Sequence, residues 1–299
     1  MTISEFRYDD ISRNERLLAS VALRPSGVVV LATLAAAFIG WAWLALAAGS
    51  VAGVAPGSAT ALQNSWLPQA LPEVLPDRLL NVLLALCSPA GGSSAAATLA
   101  ASSAMWAAMS VAMMLPSAAP MLRTYADIAQ AAAQKGETVR SVWTIASGYL
   151  LVWTIFALAA AVVQTALVSA DVVPTLDTPV AAAWGGAILV GAGLYQFTSL
   201  KHACLEKCRN PFATLFGRWS VRGVDVFRLG VEQGLFCLGC CWALMFVMFA
   251  VGTMNLAWMA VFALFTLLEK TGTGKATTYV VGAVLAGWGT TLIVLAASA

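Results

Sequence analysis

The chain has 299 residues, 60% of them hydrophobic and only 10% charged, with a formal net charge of +2. A soluble domain carries roughly 25% charged residues, so this composition, with a mean hydropathy of +0.83, excludes an ordinary soluble globular protein. The net charge itself carries little information, because in a membrane chain the placement of charge matters more than its sum.

The first 26 residues open as "MTISEFRYDDISRNERLLAS", a polar segment with no signal-peptide pattern, and the first apolar run behind it is long enough to span a bilayer. Seven spans are predicted, over about 27–49, 95–119, 139–169, 179–200, 229–252, 254–270 and 276–298. They make 27–299 a single all-α transmembrane domain, a polytopic helix bundle. Between the first two spans, segment 50–94 is rich in Ala, Pro, Gly and Ser and contains "LPEVLPDRLLNVLLAL", which reads as an amphipathic helix over the outer face. The third span exceeds the ~20 residues that a bilayer requires and is expected to tilt or protrude. In the fourth, "GGAILVGAG" (185–193) has the small residues of a close helix–helix contact. A basic loop, 201–228, follows. The fifth and sixth spans are joined only by "GTMN" (252–255), which predicts a tight antiparallel hairpin with Asn255 as a cap.

Charge fixes the expected orientation. With the N-terminus in the cytoplasm, fifteen of the sixteen Lys and Arg residues fall on the inner side and only Arg78 faces out, as the positive-inside rule requires. Seven spans then put the C-terminus in the periplasm of a bacterial inner membrane. The basic loop is explained by topology and calls for no nucleic-acid partner; the bilayer is the partner implied.

The chemistry lies in sulfur. Cys237, Cys240 and Cys241 sit within "CLGCCWALM", and Cys87 alone falls near the outer side. Reducing compartments disfavour disulfides, and adjacent helical residues point about 100° apart, so a Cys240–Cys241 bond is not expected. Cys237, Cys241 and Met245 follow one another at i, i+4 spacing, and Met248 extends the same face. Met105, Met109 and Met113 form a second row at the same spacing in an antiparallel span. Thiolates and thioethers are soft ligands that favour Cu(I), whereas Zn(II) prefers Cys with His. Packing is the competing reading, because Met fills gaps and buried Cys behaves as a small apolar residue. His202, Cys204 and Cys208 make a second constellation at the cytoplasmic mouth, with the only histidine of the chain. Glu232 and Glu269 are expected at the same rim, as proton-relay carboxylates or as partners of Lys270 or Arg228.

The stretches "MWAAMSVAMMLPSAAP" (105–120), "YQFTSLKHACLEKCRNP" (195–211) and "GLFCLGCCWALMFVMFAVGTMNLAWM" (234–259), followed by "EK" (269–270), together resemble a bacterial family of predicted metal-binding integral membrane proteins, some labelled copper chaperones. The resemblance covers about 95–270. It implies that Met105, Trp106, Met109, Met113, Met114 and Pro116 form one motif and Lys201, Cys204, Cys208 and Pro211 a second. Cys237, Cys240, Cys241, Trp242, Met245, Met254, Asn255, Trp258, Met259, Glu269 and Lys270 form the third.

These observations lead to an expected Cu(I)-binding membrane protein. In it Cys237, Cys240, Cys241 and Met245 form the centre, Met105, Met109 and Met113 the approach, and His202, Cys204 and Cys208 the mouth. Copper would be transported, or delivered to a cuproenzyme or received from a metal-carrier protein. A membrane oxidoreductase or oxygenase component is the alternative, weakened by the lack of the His clusters that hold iron. A structural subunit whose sulfur only packs is the third reading.

Overall fold

The computed structural model describes residues 25–52, 95–169, 179–251, 256–272 and 274–298. Residues 1–24, residues 53–94 with Cys87, and residues 252–255 with Met254 and Asn255, where the outer amphipathic helix and the hairpin cap are expected, lie outside the described residues. Those described form helices α1 (Pro25–Ala52), α2 (Ala95–Gln134), α3 (Val142–Ser169), α4 (Pro179–Tyr195), α5 (Ser199–Arg209), α6 (Pro211–Phe216), α7 (Gly223–Val251), α8 (Leu256–Thr271) and α9 (Ala276–Ser298). Five of them, α1, α2, α3, α7 and α9, are long and apolar enough to cross a membrane. The other two expected spans correspond to α4 and α8, with 17 and 16 residues.

The outward faces of these helices are apolar. Phe38 and Ile39 on α1, Ile155 and Leu158 on α3, and Val284 and Val294 on α9 are all exposed, a surface that a lipid environment covers without cost but water does not. The fold is therefore that of a multi-pass, membrane-compatible helical bundle.

The longest helix is α2 rather than α3. Its 40 residues run past the expected limit at 119, because the Ala-rich stretch after Pro120 has high helix propensity and buries Tyr125, Ala126 and Ala129. Pro116 lies inside the helix and cannot donate to the Ala112 carbonyl one turn back. That carbonyl instead accepts from Trp41 Nε1 of α1 at 3.1 Å. The helix stops at Gly136, whose φ is +82°. The Gly136 amide donates to Ala133 O and the Glu137 amide to Ala132 O, at 3.0 and 3.1 Å, which is the Schellman pattern. Gly136→Ala is expected to cost about 1–2 kcal/mol, the penalty of a Cβ in the left-handed region, read as a lower unfolding midpoint in detergent with the fold unchanged.

Glycines set two close helix seams. Gly186 and Gly193 of α4 face Gly289 and Gly282 of α9, and a Cβ on Gly193 would lie 2.7 Å from the Gly282 carbonyl oxygen. The "GGAILVGAG" stretch thus packs helix on helix. Gly148 of α3 and Gly230 of α7 meet in the same way, each against the other helix's backbone.

Residues 201–228 are folded rather than an open loop. Thr198 caps α5, its side chain accepting from the Lys201 amide. Lys207 and Arg209 occupy the last turn of α5, where cations suit the helix dipole. The helix α5 lies against α7, and this brings its cysteines to the core.

Candidate metal centre

The helix α7 carries the centre. Cys237, Cys240, Cys241, Met245 and Met248 are all buried, none more than 2% exposed, and the five described cysteines are free. The Cys240 thiol donates to the Cys237 carbonyl at 3.1 Å, one turn back. Its sulfur lies 3.2 Å from that of Cys241, closer than the helical projection predicts and still unbonded.

Two neighbours reach Cys237 from other helices. Tyr149 of α3 places its hydroxyl 3.1 Å from the Cys237 sulfur and the same distance from the Met114 carbonyl of α2. Lys270, at the end of α8, puts its ammonium 2.9 Å from the same sulfur and donates to Ser117 Oγ of α2 at 2.8 Å. The Ser117 hydroxyl in turn donates a hydrogen bond to Met114 O. Cys237 is thereby tied to α2, α3 and α8 at once.

The adjacent residue Glu269 turns the other way. Its carboxylate accepts from Lys201 Nζ of α5 at 2.9 and 3.0 Å and from Thr278 Oγ1 of α9 at 2.6 Å. Lys201 also donates to the Cys240 carbonyl at 3.1 Å, so the ion pair borders the thiols. The expected Glu269–Lys270 or Glu269–Arg228 pairing does not form. Consecutive helical residues diverge by about 100°, and here they serve two different clusters. Glu232, the other expected relay carboxylate, pairs with Arg218 at a partly exposed position, on a separate contact from Cys237.

The helix α5 contributes the remaining thiols. Gly239 of α7 leaves room for Cys204, since a Cβ there would lie 2.7 Å from the Cys204 sulfur. The glycine therefore receives α5. Tyr195 donates to the Gly239 carbonyl beside it. Cys208 packs against the same buried core. Cys208 also lines, with Cys237, Tyr149, Ser117, Gln233 and Lys270, a cavity of about 20 Å³. That is room for a single small species, since one water needs about 10–15 Å³ on this measure. Burial raises the Cys204 thiol above its ordinary range.

His202 leaves this group. It lies edge-on to Tyr279 of α9, with ring centroids 5.3 Å apart, and its Nε2 is buried without a hydrogen-bond partner. Burial, then the charges of Lys275 and Lys201, hold it below the usual imidazole range. The expected His202–Cys204–Cys208 trio is split between two faces of α5. Among the described residues, no three His, Cys, Asp or Glu side chains form a ready metal-ligating group.

Met105, Met109 and Met113 are buried on α2, within the same core as Met245, Met248 and Met259. The principal partners of α2 are α1 and α3, so the two sulfur rows share a core without lying along one backbone seam. Trp106 of α2 stacks on Phe249 of α7 at 5.0 Å and donates to Gln164 of α3 at 2.6 Å, joining three helices.

Sequence reasoning assigned no role to Tyr149, Ser117 or Thr278. Lys201 and Lys270 carried only a place in a motif and an expected surface pairing. The available signal was the occurrence of two lysines next to apolar runs, where an ionisable group demands a partner.

The bundle and its buried thiols define a multi-pass, membrane-compatible protein with a sulfur-rich interior. The family model PpoB2, described as copper chaperone, matches residues 103–292, and the chain belongs to that family. No curated protein matches the chain, and no solved structure matches it.

Proposed function

We propose that this protein is a seven-span bacterial inner-membrane copper chaperone that holds Cu(I) on buried sulfur and passes it to a cuproenzyme. In this reading α4 and α8 complete the seven spans, with the N-terminus cytoplasmic and the C-terminus periplasmic. The observation that carries it is the meeting of Cys208 and Cys237 at a small cavity, with the Cys240 and Cys241 thiols packed behind Cys237 inside an apolar bundle. Soft sulfur donors shielded from water suit Cu(I), and membership of a copper chaperone family supports that metal.

Thiols release protons when they take a metal. Lys270 already places a cation beside Cys237, so a second cation joins that sulfur only as the ammonium withdraws. Cys237, Cys240 and Cys241 with Met245 form the centre. Met105, Met109 and Met113 line the approach on the α2 side, Cys204 and His202 belong to the cytoplasmic mouth, and Cys208 leads from that mouth to Cys237. Glu269 fixes Lys201 beside the thiols and holds α5 in place.

The test is copper analysis of protein purified anaerobically in detergent. Stoichiometric copper is expected in the wild type and none in Cys237→Ser/Cys240→Ser/Cys241→Ser, with Ag(I) protecting the same thiols from alkylation. Copper retained by the triple variant would reject this centre. Metal-free wild-type protein, with variants of unaltered stability, would leave the cysteines as packing residues.

A further inference from the structure

A second cavity, of about 880 Å³, opens beside the thiol pocket between α5 and the α8–α9 turn. Its size is within the ~300–1,000 Å³ of small-molecule sites. Its described charged lining is Arg209, Lys270 and Lys275 against Glu206. Arg209 donates to the Glu269 and Gly274 carbonyls at 2.8 and 2.9 Å, which hold the guanidinium in place without cancelling its charge. Lys275 is exposed. The Glu269 carboxylate, next in sequence to Lys270, is engaged by Lys201 and Thr278. His202, whose Nε2 has no partner, also lines this vestibule.

Lys270 lines both cavities. Its side chain stands between the wide vestibule and the one-atom pocket at Cys208 and Cys237. A vestibule with this balance repels a free monovalent cation and attracts an anion. A copper ion arriving alone meets the wrong field; one wrapped in carboxylate-bearing thiolates meets the right one.

We propose that the vestibule is a binding site for a small anionic thiol carrying carboxylates, and that copper reaches Cys208 and Cys237 as the Cu(I) thiolate complex of such a molecule. This rests on the copper reading above. Arg209 and Lys275 take the carboxylates, which places the complex's Cu–S unit over Lys270. As Lys270 withdraws, each protein sulfur forms a bond to copper as one donor sulfur leaves. The proton lost from each protein thiol goes to the departing donor thiolate. Copper stays Cu(I) throughout, so no electron moves.

S-Methylglutathione, a metal-free dicarboxylate whose sulfur is blocked, is the probe for binding. Calorimetry on the full protein in detergent is expected to show saturable binding that weakens as salt rises. Binding should weaken about tenfold in Lys275→Glu and strengthen in Glu206→Gln. Lys275→Gln, at an exposed position, guards against a folding artefact and should give an intermediate loss. Binding equal to that of the diamide of the same peptide, or unchanged in both Lys275 variants, overturns the proposal. Loading is then compared between Cu(I)–glutathione and the cationic acetonitrile complex of Cu(I). The wild type should prefer the anionic donor and Lys275→Glu should lose that preference; equal preference in both also overturns it. Because the probe carries no metal, vestibule binding is read whether or not the chain takes copper, so failure of the copper reading and failure of this one are told apart.

Discussion

Lys201→Met is expected to lower stability by about 3–5 kcal/mol, the cost of leaving one charge of a buried pair unpaired. Both Lys201 and Glu269 have side chains with 0% exposure, so neither can turn to water for compensation. The lost lysine also removes the side-chain donor to the Cys240 carbonyl, and Thr278 is left as the partner of an isolated carboxylate. Replacing both charges, in Lys201→Met/Glu269→Leu, should recover much of the loss, because desolvation offsets most of the attraction within a buried pair. Unfolding in mixed micelles, followed by tryptophan fluorescence, measures both variants. Equal destabilisation of the single and double variants would mean that α5 docks through its apolar contacts and not through the ion pair.

Gly230→Ala is expected to destabilise by about 1–3 kcal/mol, in the range of overpacking, and to disturb the thiol centre from a distance of two helical turns. A methyl there collides with the Ile145 backbone of α3, and rigid backbone cannot give way as a side-chain tip can. The seam must widen, which draws Tyr149 away from Cys237. Faster alkylation of Cys237 than in the wild type is the accompanying expected result. Gly191 and Gly287 provide the contrast, because a Cβ at either meets nothing within 4 Å. Alanine there should be neutral or stabilising by up to about 1 kcal/mol, the helix-propensity gain. If Gly230→Ala behaves like Gly191→Ala, close approach of α3 and α7 does not govern the site.

The residue pattern carried the helical class, the apolar runs and the thiol-bearing face of α7. Those properties are local: hydropathy and i, i+4 spacing are set by neighbours in sequence. The continuation of α2 beyond Pro120 was not legible, since it depends on burial of Tyr125 and on a donor, Trp41, borrowed from another helix. The same holds for the centre. That Cys204 seats on Gly239 and Cys208 joins the α7 thiols, while His202 turns to Tyr279, depends on how α5 docks. Glu269 and Lys270 read as one rim pair because they are adjacent, yet a helix sends adjacent side chains to different partners. Glu232 read as a relay from its sequence distance to Cys237, whereas Arg218 engages it.

The sites that close over the thiols come from the far end of the chain. Cys237, Cys240 and Cys241 emerge before Glu269 and Lys270, and Thr278 and the α9 glycines that seat α4 come later still. Chains are made from the N-terminus at roughly 5–20 residues per second. During synthesis Lys201 therefore waits without its acid and Cys237 without its ammonium, while α4 lacks the helix it fits most closely. The last two helices act as a late clasp, and the interval before they arrive is when the sulfur cluster is open to metal, oxidant or chaperone alike.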